Sequence, residues 1–268
     1  MGIQKNNSDR VATGITNHSS RTAVTRRVAF FLALCILSLG LLHLVSTVIM
    51  DHVSIDQIVR TDIPTYRLRF RMFSLDREMA LPAWFSSLLM TFNGVLLLVL
   101  AWVRHHKQQG NVWAWVTMAL VFFFLSIDES VAIHETLPER VREWLGPYAT
   151  GLLYYAWYVP LLAVMAVLVW FWVPAWWRLP AALRWGLAGG VAVFIGGAVV
   201  VEAFMGMIMH SYGMEDPPLQ NAPWSIKLLI VAEELVELLG MSIVACSLLH
   251  HLAPQLKLTV INESQPIV

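Results

Sequence analysis

The residues in this chain that could carry out chemistry are acids and histidines placed within or beside long apolar segments. The stretch LSIDESVAIHE closes an apolar run and contains Asp128, Glu129, His134 and Glu135. Two later apolar segments carry four further acids, which are Glu202, Glu233, Glu234 and Glu237. An acid at the centre of a membrane helix costs about 2.5 to 3.5 kcal/mol, so about six facing lipid would cost on the order of 15 to 20 kcal/mol. These side chains are therefore expected to face one another, water, protons or a cation, which predicts a functional site.

The combination of carboxylates with imidazole predicts a divalent-metal site, because that ligand set suits Fe, Mn or Zn, whereas carboxylates alone suit Ca. The expected metal ligands are Asp128, His134, Glu135, Glu202, Glu233, Glu237 and His43. Glu129 or Glu234 is the expected catalytic base acting on a metal-activated water. Met205 and Met209 share a helix face with Glu202, which leaves copper as a minor alternative. The paired ExxH motifs of di-iron bundles and the HExxH motif of zinc proteases are absent.

Three other interpretations are alternatives to a metal-dependent enzyme. Carboxylates about 4 Å apart repel by about 4 kcal/mol at an effective dielectric constant near 20, so a crowded group must share either protons or a cation. Shared protons would suit a proton- or cation-coupled transporter. The acids could also hold the bundle together by hydrogen bonding to Ser126, Ser130, Ser242 and Asn93, or the chain could be a noncatalytic membrane partner subunit.

Helical spacing predicts which of these side chains point the same way. If the third helix continues through the motif, Asp128 and Glu135 share one face, because they are seven residues apart. Glu129 and His134 would then project from other parts of that helix.

The depth of the acids in the membrane predicts that they meet. At a rise of about 1.5 Å per residue, the acids of the third, fifth and sixth helices fall in the outer half of a core about 30 Å thick. His43, counted along the first helix, falls near the same depth. The sequence therefore predicts one polar cavity that contains Asp128, Glu202, Glu233 and Glu237.

Composition predicts an all-α fold, a polytopic membrane helix bundle with about six transmembrane helices. Hydrophobic residues make up 57% of the chain and charged residues only 13%, which argues against a soluble domain. We expect residues 1–26 to form a disordered cytoplasmic tail, 27–252 the six-helix transmembrane domain and 253–268 a cytoplasmic tail. The charge is balanced and no stripe of arginines and aromatics occurs, so we expect no nucleic-acid partner. The expected partners are the lipid bilayer and a lipid-like substrate, and the oligomeric state is left undetermined.

The distribution of basic residues predicts that both termini are cytoplasmic. Arginines precede the first span, RHHKQQGN follows the second, and Arg178 and Arg184 lie in the turn after the fourth, as the positive-inside rule prefers. The aromatic ends of the fourth span, YYAWY and WFWVPAWW, are interpreted as belts at the two membrane interfaces.

Three motifs lie between residues 76 and 240 and read DREMALPAWFSS from Asp76, LSIDESVAIHE from Leu125 and EELVELLG from Glu233. In these motifs the chain resembles an uncharacterised group of bacterial six-helix inner-membrane proteins. The resemblance implies a multi-pass protein of the bacterial inner (plasma) membrane, but it transfers no activity. Alkaline ceramidase-like hydrolases also combine Ser, Asp and His within membrane helices. This chain lacks their paired late histidines, so that likeness is an analogy only.

Overall fold

The computed structural model describes residues 3–52, 72–75, 77, 79–212 and 223–263. Within those ranges the chain is helical and contains no strand, so the all-α prediction is confirmed. The helices are α1 (Ile3–His52), α2 (Leu81–His106), α3 (Trp113–Val131), α4 (Leu137–Leu145), α5 (Tyr158–Trp177), α6 (Ala181–Ile195), α7 (Glu202–Ser211) and α8 (Trp224–Glu263). A π-helical segment, Gly196–Val201, joins α6 to α7, and short 3-10 turns lie between α3 and α5.

Five helical segments in the described part of the chain are long and apolar enough to cross a membrane. They are Ala23–Ile49, Leu81–His106, Trp113–Val131, Tyr158–Trp177 and Ala181–Ser211. Large apolar side chains are exposed on these segments, with Val167 at 70% and Trp170 at 84% of their full accessibility. Monomeric soluble proteins rarely expose extended apolar patches, so this surface suits contact with lipid.

The last helix, α8, lies at the centre of the bundle, where it contacts α1, α2, α6, the π segment and α7. Its apolar residues Leu238, Val244 and Leu248 are completely buried. Asn93 of α2 also reaches α8, because its Nδ2 donates to the Met241 carbonyl oxygen at 3.1 Å. The three glutamates of the EELVELLG motif therefore lie on a helix that is contacted by five other segments of the bundle.

Glycines allow α8 to approach α6 and the π segment closely. A Cβ atom added at Gly190 would lie 2.9 Å from the Gly240 carbonyl oxygen, and one at Gly240 would lie 2.5 Å from the Phe194 nitrogen. Small residues at helix contacts allow this kind of close backbone approach in membrane proteins. The contact places Glu237 beside the π segment that leads to Glu202.

Hydroxyl side chains join α2 to α3. Ser126 Oγ lies 2.8 Å from both Ser87 Oγ and Thr91 Oγ1, and Ser130 Oγ donates to Ser87 Oγ at 2.9 Å. Ser126 and Ser130 had been considered as hydrogen-bond partners for the acids. In the structure they bond to other hydroxyl groups, which supply the polar contact between these two helices.

The basic turns of the sequence lie at one end of the bundle. Lys107 Nζ donates to Gln255 Oε1 at 2.8 Å, which joins the α2–α3 turn to the distal part of α8. A Cβ atom at Gly110 would lie 3.0 Å from Arg178 Nη1, so the α5–α6 turn is at this end too. The LSIDESVAIHE motif ends at the opposite end.

Helix α1 begins at Ile3 and so runs through most of the stretch for which a disordered tail was predicted. Helix α8 likewise continues to Glu263, into the predicted C-terminal tail. Residues 1–2 and 264–268 of those tails lie outside the described residues. Most of the polar segment between the first and second helices, including Asp76 and Glu78, also lies outside them.

Candidate functional site

Helix α3 ends inside the LSIDESVAIHE motif rather than running through it. Ala132 adopts a left-handed conformation, with φ of 58°, and its N–H donates to the Asp128 carbonyl oxygen at 2.8 Å. A left-handed residue at this position is a common way to end a helix. His134 and Glu135 consequently lie on a separate 3-10 turn, His134–Thr136. The prediction that Asp128 and Glu135 share a helix face is therefore wrong, and the Glu135 side chain lies outside the described residues.

The turn brings His134 back onto Asp128. The His134 backbone N–H donates to Asp128 Oδ1 at 2.9 Å, and His134 Nδ1 lies 3.0 Å from Asp128 Oδ2. Because a carboxylate only accepts hydrogen bonds, Nδ1 carries a proton, and in the neutral ring Nε2 then carries the lone pair. Metal-binding histidines are commonly oriented by a carboxylate in this way. Asp128 therefore fits the role of orienting His134 better than that of a direct metal ligand.

These hydrogen bonds also explain why a non-glycine residue is found in the left-handed conformation. That conformation costs an alanine about 1 to 2 kcal/mol. Two hydrogen bonds to a charged carboxylate contribute about 1.5 to 3 kcal/mol each, which is enough to offset it.

Seven of the ionisable residues singled out in the sequence line one cavity of about 1340 Å³. They are Asp128, Glu129, His134, Glu202, Glu233, Glu234 and Glu237. All seven side chains are half-buried, because they belong to the interior of the bundle but face the cavity. The sequence predicts one cavity for four of them, Asp128, Glu202, Glu233 and Glu237. The structure adds Glu129, His134 and Glu234 to the same cavity.

Carboxylates from three helices lie within electrostatic range of Glu237 in the cavity. The carboxylates that act on Glu237 come from α3, α7 and α8 itself and belong to Glu129, Glu202, Glu233 and Glu234. His134 lies within electrostatic range of both Glu129 and Glu202. The Ser86 hydroxyl approaches the Glu129 carboxylate. One imidazole among so many carboxylates leaves an excess of negative charge, which bound protons or a cation would neutralise.

The side chains do not form a closed metal site as they stand. Among the residues that the structure describes, no group of three or more His, Cys, Asp or Glu side chains is arranged to hold a metal ion.

His43 is not brought to this cavity. Its side chain is only 1% exposed, its Nδ1 accepts a hydrogen bond from the Leu75 N–H at 2.9 Å, and its Nε2 lies 3.3 Å from Thr47 Oγ1. The Nδ1 hydrogen bond attaches residues 72–75 to α1, and the Nε2 contact is made within α1 itself. The predicted depth of His43 matches that of the acids. Depth alone, however, does not give the direction in which a side chain points.

Aromatic residues that were interpreted as an interface belt also line the cavity. Tyr155, Trp157 and Tyr158 are all on its wall. Trp157 lies against His134, with the ring centroids 5.2 Å apart. Its indole N–H approaches the Glu202 carboxylate, yet Nε1 is buried without a hydrogen bond of ordinary geometry. No spacing in YYAWY distinguishes a residue of a site from an interfacial anchor.

Two further features of the site were not predicted. Arg77 and Arg142 line the cavity and bring positive charge to it. The π segment Gly196–Val201 ends immediately before Glu202 and so determines the direction in which that acid projects. Short π-helical segments occur frequently at functional sites.

A family model described as a domain of unknown function, DUF8692, matches residues 28–252. The chain belongs to this family. The DUF8692 match covers all of the acids and the histidine that line the cavity, and it closely follows the predicted transmembrane domain, residues 27–252. No curated protein matches the chain, and no solved structure matches it.

Proposed function

We propose that this protein is a divalent-metal-dependent enzyme of the bacterial inner membrane that acts on a lipid or another membrane-embedded substrate. The observation that supports this proposal best is the cavity, in which the six acids predicted from the sequence and His134 meet a wall that is otherwise mostly apolar. Binding sites for small molecules typically combine an apolar wall with a few convergent polar groups. At about 1340 Å³ the cavity is large enough for a lipid-sized molecule.

In this proposal the protein crosses the membrane six times, with α8 as the sixth spanning helix. Acids are tolerated on α8 because it is surrounded by other helices, so its glutamates face the bundle interior rather than lipid. The end of the bundle that contains Lys107, Gly110 and Arg178 is cytoplasmic by the positive-inside rule. Both termini are then cytoplasmic, and the cavity lies in the outer half of the membrane.

His134 is the best supported metal ligand, because Asp128 holds its Nδ1 and directs Nε2 away from the carboxylate. Glu202 of α7 and Glu237 of α8 are the carboxylates that we expect to join it, since both line the same cavity as His134. Glutamate side chains have several rotatable bonds, so they can close around an ion without a movement of the helices. Imidazole with carboxylates suits Fe, Mn or Zn. The metal would supply a Lewis acid or an activated water.

Glu129 is the better of the two candidate bases. The Ser86 hydroxyl approaches its carboxylate and His134 lies within electrostatic range, so polar groups from two other parts of the chain face it. A general base needs such positioning in order to accept a proton from water or from the substrate. Glu234 lines the same cavity from α8 and is the second candidate.

The substrate would enter from the membrane between α3 and α5. The cavity wall there is apolar and is formed by Leu120 and Phe124 of α3 and by Leu161, Val164 and Leu168 of α5. On its other side α5 is widely exposed, as expected of a helix that faces lipid. A hydrocarbon chain could occupy this part of the cavity while its polar group reaches the acids.

Metal analysis tests the proposal. We expect the protein, purified in detergent without chelator, to contain nearly one equivalent of divalent metal, and the variants Glu202→Gln and His134→Gln to lose it. Glu143→Gln is the matched control, because Glu143 is exposed on α4 and does not line the cavity. A folded parent protein without metal that also fails to take up Mn, Fe or Zn would refute the metal-dependent enzyme.

A proton- or cation-coupled transporter is the second candidate function. The π segment supports it, because it interrupts the α6–α7 helix directly beside a buried acid, and transporters commonly place their coupling sites at interrupted helices. In this case the excess negative charge would be neutralised by shared protons. Infrared difference spectra showing protonated carboxyl groups at neutral pH, in a protein that binds no metal, would favour the transporter.

A further inference from the structure

Two arginines bring positive charge to the wall of the cavity. Arg77 and Arg142 line the cavity together with Pro138 and Glu139. Arginine presents a planar set of donors that matches the oxygen atoms of phosphate and carboxylate groups. Two arginines in the cavity wall therefore favour a ligand that carries a phosphate or carboxylate group.

Arg142 is directed toward the cavity by the short helix α4. Pro138 and Arg142, four residues apart, lie on one face of α4 and both line the cavity. The guanidinium carbon of Arg142 lies 5.2 Å from the centre of the Tyr154 ring, which supports the side chain from the side. Arg140 is exposed on α4 and does not line the cavity.

Trp157 supplies an additional donor. Its side chain is only 7% exposed, it lines the cavity, and its indole Nε1 makes no hydrogen bond of ordinary geometry. A buried donor without a partner costs about 1 to 3 kcal/mol, and a ligand oxygen could remove that cost. Arg77, Arg142 and Trp157 thus offer donors from three different parts of the chain.

From these features we propose that the ligand of this cavity is a membrane amphiphile with a phosphate-bearing head group. Arg77 and Arg142 bind the phosphate oxygens, Trp157 donates to an oxygen of the same head group, and the hydrocarbon tail lies between α3 and α5. Phosphate is favoured because its several oxygens can accept from two guanidinium groups and an indole at once. This inference rests on the proposed function for its choice of a membrane-embedded substrate and adds the chemical class of that substrate.

Lipid binding to the full-length protein in detergent, measured by native mass spectrometry, tests the head group. The probes are dioleoyl phosphatidic acid, dioleoylglycerol, which has the same tails without phosphate, and inorganic phosphate. We expect phosphatidic acid to bind at least about tenfold more tightly than dioleoylglycerol, since two charge-assisted contacts are involved. Arg142→Gln and Arg77→Gln should each weaken phosphatidic acid binding by about tenfold. Arg140→Gln, the control on the same helix, should leave it unchanged.

A second pair of variants tests where the hydrocarbon tail of the lipid lies. Ala166→Trp adds bulk to the α5 wall of the cavity, whereas Ala163 lies on α5 outside the lining. We expect Ala166→Trp to weaken binding of both lipids by about tenfold or more, as filling a binding cavity should, and Ala163→Trp to leave both unchanged.

Several results would overturn this inference. Equal affinity for the two lipids, or equal losses in Arg140→Gln and Arg142→Gln, would remove the role of the phosphate contact. Competition by millimolar inorganic phosphate, with no tighter binding of phosphatidic acid, would point to a soluble phosphate compound. Unchanged binding in Ala166→Trp would place the tail elsewhere. The titrations are done in EDTA, so a failure to bind lipid is distinguishable from a failure to bind metal.

Discussion

The contact between the π segment and α8 gives a quantitative test of how the site is assembled, through the substitution Gly197→Ala. A Cβ atom at Gly197 would lie 2.7 Å from Glu237 Cγ and 2.9 Å from the Glu233 carbonyl oxygen. The adjacent Gly196 is a matched control, because a Cβ atom there would meet no atom within 4 Å. Gly197 therefore touches the backbone and side chains of the acidic motif, while its neighbour does not.

The size of the effect follows from these distances. Two carbon atoms are in favourable contact at about 3.5 to 4.0 Å, so the new methyl group would be roughly 0.8 Å too close to Glu237. Glu237 could rotate away, but the Glu233 carbonyl belongs to the backbone, so the two helices must also separate. Overpacking of this kind costs about 1 to 3 kcal/mol. Alanine is the better helix former by about 1 kcal/mol, but that gain is common to both substitutions and cancels in the comparison.

Thermal unfolding in detergent, followed by circular dichroism, measures this difference. We expect Gly197→Ala to be less stable than Gly196→Ala by about 1 to 3 kcal/mol. The pair Gly190→Ala and Gly189→Ala repeats the test about two turns away, because a Cβ atom at Gly190 would lie 2.9 Å from the Gly240 carbonyl oxygen and one at Gly189 would meet nothing within 4 Å. Equal stability within each pair would show that α6, the π segment and α8 are not packed as the structure has them.

Two further predictions separate the residues that form the site from those that support the fold. Asp128→Asn should weaken metal binding by about 10- to 100-fold, because it removes the carboxylate that orients His134, and unchanged affinity in a metal titration would refute that role. His43→Leu should reduce the free energy of unfolding by about 1 to 3 kcal/mol, because the Leu75 N–H loses its acceptor, while metal content stays at the parental level. His105→Leu, at an exposed histidine, is the control, and loss of metal in His43→Leu alone would place His43 in the site after all.

The sequence by itself determined the helical class and the acids of the site. Long apolar runs form helices wherever they lie, because each helix satisfies its own backbone hydrogen bonds. The high cost of an acid facing lipid is equally independent of the particular fold. For this reason Asp128, Glu202, Glu233 and Glu237 could be expected in one cavity before their neighbours were known.

Only the tertiary structure decided how the side chains of the site are directed. Helix α3 ends at Val131 because Asp128 bonds to His134 beyond the end of the helix, and helical periodicity cannot predict where such a bond replaces the next turn. His43 accepts a hydrogen bond from the Leu75 N–H, which is 32 positions away in the chain. Its role therefore depends on a contact that the neighbouring sequence does not reveal. Arg142 lines the cavity because α4 presents it on the same face as Pro138. These outcomes depend on contacts between distant parts of the chain, whereas helix formation and the cost of burying charge are local properties of the sequence.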